Sequence, residues 1–437
     1  MTDTTAHATS ESMDFDAVDF FRSDTFIPDP YPYFDHLRDK CPVQVEPHHG
    51  VVMVTGYDEA CEVYNDTERF SSCNSVSGPF PGFPVPLEGD DVSELIEKHR
   101  DELPFSDQLP TFDPPKHKDH RALLMRLLTP ARLRENEDAM WALADRQIDE
   151  FIERGSCEFI REYAGPFTLF VIADLLGVPQ EDQPDFRRRL QGSHGAKART
   201  VGSTEKAMQG NPLDFLYDRF TAYVEARRRE PREDVLTGLA TATFPDGSLP
   251  EVIDVVRVAV NLFGAGQETT VRMLAAGLQL IAERPDLQDG LRADPKKVVD
   301  FGEETLRLES PVKGDFRLAR VNTTVAGVDV PAGTTLMLVN AAANHDPRKF
   351  DNPSEFRVER ENARQHLAFG RGVHTCPGGP LARAEGRISF ERLLARMGDI
   401  RINEAEHGPA AARRYEYAPT YILRGLQKLH LEFTPVG

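Results

Sequence analysis

The sequence predicts a mainly α fold with small β-sheets (α+β). Three observations carry that prediction. Residues 250–283 keep one helical periodicity throughout, with Val252, Val255, Val256, Ala259, Val260 and Phe263 recurring on a single face. Shorter helical patterns, closed by proline or glycine, fill most of the remaining chain. Extended patterns are brief and come in pairs.

In chain order, a polar leader at 1–13, expected to be disordered, precedes a proline-punctuated approach (Pro28, Pro30, Pro32) to a short helix at 33–38. Residues 43–45 and 51–54 flank Pro47-His-His-Gly50 and read as a hairpin; 57–64 reads as a helix. Residues 71–112 hold six prolines with Phe80, Phe83 and Phe105, which suits either a functional lid or a surface insertion. A basic helix at 117–128 follows Asp113-Pro-Pro115 and stops before Pro130. Its His117 and Arg121, four apart, share a face. That face is either solvated or an anion contact, with an acidic protein partner on the other side.

Helices are expected at 138–154 and 167–176, and 191–211 reads as a flexible connection. An amphipathic helix through Leu213, Leu216, Phe220, Tyr223 and Val224 ends in the charged run 227–232. Beyond the central helix come a helix at 300–308 and strands at 324–330 and 334–339, joined by Pro331-Ala-Gly333. The tail at 421–433 reads as a strand or hairpin.

The 437 residues can form one large domain or up to three small ones. A formal net charge of −20 argues against a nucleic-acid partner, which needs a basic face. Five cysteines without regular spacing argue against a disulfide framework and fit a reducing cytoplasm. The leader lacks the apolar core of a signal peptide, and no run approaches the roughly 18 apolar residues of a membrane span. A soluble, cytoplasmic chain is expected.

Three stretches carry chemistry. Residues 369–379 read Phe-Gly-Arg-Gly-Val-His-Thr-Cys-Pro-Gly-Gly, placing Cys376 among four glycines just before a helical run. Pro377 suits the first position of that helix, and a thiolate at its N-terminus would face the free N–H groups of Gly378 and Gly379. Read alone, Cys376 is as readily a small buried hydrophobe as a haem ligand; half of a zinc site with His374 is a further reading, but Cys41, Cys61, Cys73 and Cys157 stand alone without the paired spacing that zinc needs. Within the central helix, Gly264-Ala-Gly-Gln-Glu-Thr-Thr270 sets two glycines beside Glu268 and Thr269, as in a small polar pocket. Glu304 and Arg307, three apart, can pair along one face.

Together and in order, these segments resemble the cytochrome P450 family in its soluble bacterial form, from residue 57 to 433. The Phe369-Gly-x-Gly-x-His374-x-Cys376-x-Gly378 motif is the most specific part. The resemblance implies a triangular prism, one domain over 14–437, with haem between the long central helix and the cysteine loop. It implies Cys376 as the proximal thiolate ligand of haem b, and His117, Arg121, Arg317 and His374 as contacts to the propionates. Ala265, Phe369, Gly370 and Gly378 match further cofactor-binding positions. Glu304, Arg307 and Arg360 would form a buried structural network. Thr269 would order oxygen and water, Glu268 would relay protons, and Gly264 and Gly266 would let the helix open locally. Gln267, Glu268 and Pro377 depart from the residues commonest at their places.

The implied reaction is a monooxygenation, with O2 as co-substrate and a hydrophobic small molecule (terpenoid, steroid or fatty-acid-like) hydroxylated. No glycine-rich nucleotide motif is present, so electrons are expected from an iron–sulfur ferredoxin and its NAD(P)H-dependent reductase. Lys116, Lys118, Arg126 and Arg371 are the expected docking patch, and the chain is expected to be a monomer. A peroxide-dependent peroxygenase and a haem-thiolate sensor are the alternatives. Both dispense with the Glu268–Thr269 pair. Expected pocket walls are 71–112, 191–211, Leu262, Phe263, Val312, Tyr421 and Ile422.

Overall fold

The longest helix, Val252–Glu283, runs unbroken through the middle of the molecule. The structure is a computed structural model that describes residues 13–190 and 214–436. Residues 1–12 of the leader and the connection at 191–211 lie outside the described residues.

In chain order the helices are α1 (Tyr31–Lys40), α2 (Tyr57–Asn65), α3 (Ser93–His99), α4 (Lys116–Met125), α5 (Pro130–Asp149), α6 (Gly165–Leu176) and α7 (Gln183–Leu190). They continue as α8 (Asp214–Arg229), α9 (Val235–Ala240), α10 (Val252–Glu283), α11 (Pro285–Ala293), α12 (Lys297–Glu309), α13 (Asn340–Ala343), α14 (Gly379–Arg396) and α15 (Glu404–His407). The strands are β1 (Val43–Val45), β2 (Val52–Val54), β3 (Phe70–Ser71), β4 (Ser156–Glu158) and β5 (Asp315–Ala319). After them come β6 (Thr323–Val325), β7 (Val328–Val330), β8 (Thr335–Leu338), β9 (Met397–Ile402) and β10 (His430–Pro435).

Five strands form one sheet in the order β1-β2-β8-β5-β3; β4-β10-β9 and β6-β7 form smaller ones. The main core gathers around α10, which packs against α6, α8 and α14. Helix α6 is apolar except for Thr168 and Asp174, and every residue but Asp174 is buried, as befits a helix almost without a solvent face.

Several expectations need correction. The helix expected from 138 starts at Pro130, because the Thr129 side chain caps it and proline fits its first turn. It ends at Asp149, before the short turn Ile152–Arg154 and β4. Residues 324–330 are not one strand but the β6–β7 hairpin. Ala326 and Gly327 turn there at φ of 50° and 80°, the left-handed region that a two-residue hairpin requires. β8 leaves that hairpin and pairs with β5 and β2 instead. The short helices α7, α9 and α11 and strand β5 went unread, since each is too brief for a clear period.

Candidate functional site

Gly370 and Gly372 take φ of 63° and 71°, so the chain before α14 can double back tightly. A Cβ on Gly372 would sit 2.5 Å from the Tyr64 carbonyl oxygen. The Cys376 N–H donates to the Phe369 carbonyl at 2.8 Å and closes the loop. Its sulfur accepts from the Gly378 and Gly379 N–H groups. Helix α14 starts at Gly379 with Gly378 as N-cap and Pro380 in its first turn. Pro377 therefore precedes the cap rather than opening the helix, and Pro380 takes the place in the first turn. Burial pushes the Cys376 thiol up, while those two N–H groups, Arg121 and Arg383 act against it. A thiol so placed releases its proton to solvent when a metal cation binds the sulfur.

The sulfur is set deep in the protein but opens onto an internal cavity. His117, Arg121, Arg317 and His374 line the same cavity, as do Ala265, Thr269, Phe369, Gly370 and Gly378. Glu268 does not border it. It is half-exposed and pairs with Arg272, one turn along α10.

Four cationic or potentially cationic groups converge on one edge of the cavity. The His117 and His374 rings lie 4.0 Å apart. Arg121 Nη2 donates to the Thr375 carbonyl at 2.7 Å, tying α4 to the cysteine loop. Arg317 Nη1 donates to the Phe316 carbonyl at 2.6 Å, and Asp315 lies 3.6 Å away. His374 Nε2 meets Ser72 Oγ at 3.1 Å, so its partner is not the cysteine and the zinc reading falls away. Burial, helped by the neighbouring cations, pushes His117 down to about 4 and His374 to about 2. His117 Nε2 is buried without a hydrogen-bond partner among the described residues. An edge so rich in donors, with an orphaned nitrogen, calls for anions. A flat group with two carboxylates and a thiolate-seeking iron fits this donor set, and haem is such a group.

Helix α10 does not open at its glycines. A Cβ at Gly266 would lie 2.7 Å from Ile172 Cδ1, so glycine there lets α6 approach closely. Thr269 Oγ1 donates to the Ala265 carbonyl at 2.8 Å, which leaves its lone pairs toward the cavity.

Two networks hold the loop. Arg307 Nε and Nη2 reach Glu304 at 2.7 and 2.8 Å, Arg360 Nε reaches it at 3.0 Å, and both Glu304 and Arg307 are fully inaccessible. The second network went unread in the sequence. Arg383 of α14 donates to Glu303 at 2.6 Å and stacks on Phe369 at 4.6 Å, while His366 meets Glu303 at 3.2 Å. Burial works against the Glu303 charge, yet His366 and Arg383 hold the carboxyl down to about 2. Only the spacing to Glu304 hinted at it.

Glu385 was also missed. It lines the cavity from α14, and burial pushes its carboxyl up to about 8, though the Thr270 hydroxyl opposes this. Between the ordinary 4.5 and about 8 the folded state keeps a proton that the unfolded chain loses. Stability is therefore expected to fall as pH rises through that window. Thermal melts of Glu385→Gln across the same range should lack that slope.

Leu262 and Val312 border the cavity as expected, together with Ser75, Leu109 and Pro110 from 71–112. Phe263 does not. Its ring packs against Phe186 and Phe220 in the core behind α10. Tyr421 and Ile422 pack instead with Phe21, Phe80 and Phe316, and Tyr421 donates to the Ser77 carbonyl at 3.2 Å.

Residues 226–397 match the sequence profile described as Cytochrome P450. Over 430 residues the chain is 31% identical to Cytochrome P450 144 of Mycobacterium tuberculosis, covering 97% of this chain and 93% of the relative. The chain belongs to the cytochrome P450 family. Substrate-free cytochrome P450 CYP150A6 of Mycobacterium marinum superposes with a TM-score of 0.91 at 56% identity, covering 97% of this chain and 100% of that one. A steroid C26-monooxygenase of Mycolicibacterium smegmatis is 30% identical over 393 residues, or 88% of each chain. As a cytochrome P450 the protein is an oxygen-incorporating monooxygenase that uses haem and O2. No helix among the described residues is long and apolar enough to cross a membrane.

Proposed function

We propose that this cytochrome P450 takes two electrons from an iron–sulfur ferredoxin and hydroxylates a hydrophobic small molecule. The observation that carries this reading is one largely apolar cavity bordered by the Cys376 sulfur, the edge of His117, Arg121, Arg317 and His374, and Thr269. Terpenoid, steroid and fatty-acid-like molecules suit such walls, and one relative bears the name of a steroid monooxygenase. We read residues 14–437 as one domain, since Phe20 and Phe21 share a cluster with Tyr421.

Bound haem supplies the oxidising chemistry, by which one oxygen atom of O2 enters a C–H bond and the other leaves as water. Cys376 is the residue that would hold the iron. His117, Arg121, Arg317 and His374 would hold the carboxylates, with Ala265, Phe369, Gly370 and Gly378 as further cofactor contacts. Thr269 spends its own proton on Ala265, so its oxygen accepts a hydrogen bond from a water or a hydroxyl in the cavity. Glu268 is held by Arg272 and would carry protons inward on leaving it. Thr269→Ala is expected to keep haem and substrate binding but to divert most reducing equivalents to hydrogen peroxide. Product formed per NADH consumed measures this, and an unchanged ratio would refute the role.

Lys116, Lys118, Arg126 and Arg371 are exposed, and Met125 and Val373 beside them are 41% and 47% exposed. Exposed basic side chains with exposed apolar ones close in sequence suit a small acidic electron carrier. Arg371→Glu should slow reduction by an acidic ferredoxin about tenfold at low salt and lose most of that effect at high salt. Stopped-flow reduction tests it. NADH-driven turnover with a ferredoxin system, set against turnover with peroxide alone, tests the proposal as a whole.

A further inference from the structure

One chain of hydrogen bonds crosses the roof of the cavity. Asn261 of α10 lines the cavity four residues before Ala265, and its Nδ2 donates to Gln108 Oε1 at 3.2 Å. Gln108 Nε2 donates to the Tyr217 hydroxyl of α8 at 2.7 Å. The Tyr217 hydroxyl donates to Asp107 Oδ2 at 3.2 Å, where Arg257 Nε arrives at 3.3 Å.

The carboxylate at the far end fixes the direction of every link. An ionised Asp107 beside an arginine can only accept, so Tyr217 must donate to it. The Tyr217 hydroxyl keeps its proton, since burial and the Asp107 charge push it up to about 12. Its oxygen then accepts from the Gln108 amide nitrogen, which turns Gln108 Oε1 toward Asn261. Asn261 must give one Nδ2 hydrogen there, which fixes the amide's orientation and leaves Oδ1 as its unpaired acceptor, beside a second Nδ2 hydrogen. Among the described residues Asn261 Oδ1 has no hydrogen-bond partner.

Two hydroxyls on these walls are spent in the same way. Ser75 Oγ donates to the Pro110 carbonyl at 2.8 Å and Thr269 Oγ1 to the Ala265 carbonyl, leaving only acceptor capacity. The cavity thus has a donor edge, at His117, Arg121, Arg317 and His374, and a roof that offers acceptors to a ligand. A carbonyl or ether oxygen set against Asn261 Oδ1 would face a lone pair, and an O–H there would be matched.

We propose that the substrate is an apolar molecule already carrying a hydroxyl, or an equivalent hydrogen-bond donor, which Asn261 Oδ1 anchors under a polarity set by Asp107. This rests on the monooxygenase reading above and deepens it. Asn261 and Thr269 are eight residues apart on one helix, about 12 Å along its axis. The oxidised carbon should therefore lie at the end of the molecule remote from the anchored hydroxyl.

The test is ligand-induced spin-state titration of the holoenzyme with matched triads, decalin with 2-decalol and 2-decalone, and cyclododecane with its alcohol and ketone. Each alcohol should bind about tenfold tighter than its ketone, the worth of one hydrogen bond made rather than opposed. Asn261→Leu should bring that ratio to about one and leave the hydrocarbon at least as tightly bound. In Asp107→Asn an amide replaces the obligate acceptor, the chain can reverse, and the ketone should gain on the alcohol. Equal alcohol and ketone binding in the wild type, or a preference that survives Asn261→Leu, overturns the proposal. Should Asn261→Leu not fold, the wild-type triads and Asp107→Asn still decide it. Failure of the monooxygenase reading would look different. The reduced, CO-bound holoenzyme would lack the thiolate band, or no hydrocarbon would bind at all.

Discussion

Glu304→Gln is expected to yield a chain that does not retain haem. Glu304 accepts two hydrogen bonds from Arg307, one from Arg360 Nε and one from the Arg357 N–H at 3.0 Å. Arg307 also donates to the Asn344 and Pro353 carbonyls at 2.8 and 2.7 Å, so it stitches α12 to the segment leading into the cysteine loop. Neither Glu304 nor Arg307 reaches solvent. A neutral amide accepts at one oxygen only and leaves the Arg307 charge uncompensated. Stranding a buried charge in this way costs about 3–5 kcal/mol, a large part of the roughly 5–15 kcal/mol that holds a domain together. Haem content per chain and the melting temperature measure the effect. A Glu304→Gln protein with full haem and an unchanged melt would refute the structural role.

Cys376→Ser is expected to abolish monooxygenation, by about a thousandfold or more, while much of the fold survives. The loop geometry rests on the glycines, the Cys376 N–H to Phe369 bond and the Glu303 network, none of which involves the sulfur directly. The serine oxygen could still face the Gly378 and Gly379 N–H groups, but it lacks the electron donation of a thiolate. The haem-bound fraction should remain measurable because the carboxylate contacts at His117, Arg121, Arg317 and His374 persist. Turnover equal to the wild type would contradict the assignment of Cys376.

The sequence made the site more legible than its surroundings. The 369–379 loop is compact in sequence, and its glycines, histidine and cysteine are tied to one another by local turns. The separate contributions of His117, Arg121, Thr269 and Arg317 could be gathered only through a resemblance, because three elements distant in sequence supply them. What stayed hidden depended on tertiary neighbours. Gly266 reads as a weak point of a helix until Ile172 is seen against it. Phe263 and Tyr421 read as pocket walls until their rings are seen packed elsewhere. Glu385 is an ordinary glutamate on a helical pattern, and only its burial in the fold keeps its proton on. The roof chain from Asn261 to Asp107 joins residues up to 154 positions apart, and no periodicity could align them. Of the short helices, α7, α9 and α11 owe their form to packing against neighbours more than to any period of their own.

The central claim is that this cavity holds haem on the Cys376 sulfur. The absorption spectrum of the reduced, CO-bound holoenzyme tests it most directly, with Cys376→Ser alongside. The account predicts the strongly red-shifted Soret band of a thiolate-ligated haem in the wild type and its loss in Cys376→Ser. A wild-type band at the position given by imidazole ligation, or the same red-shifted band in both proteins, would contradict it.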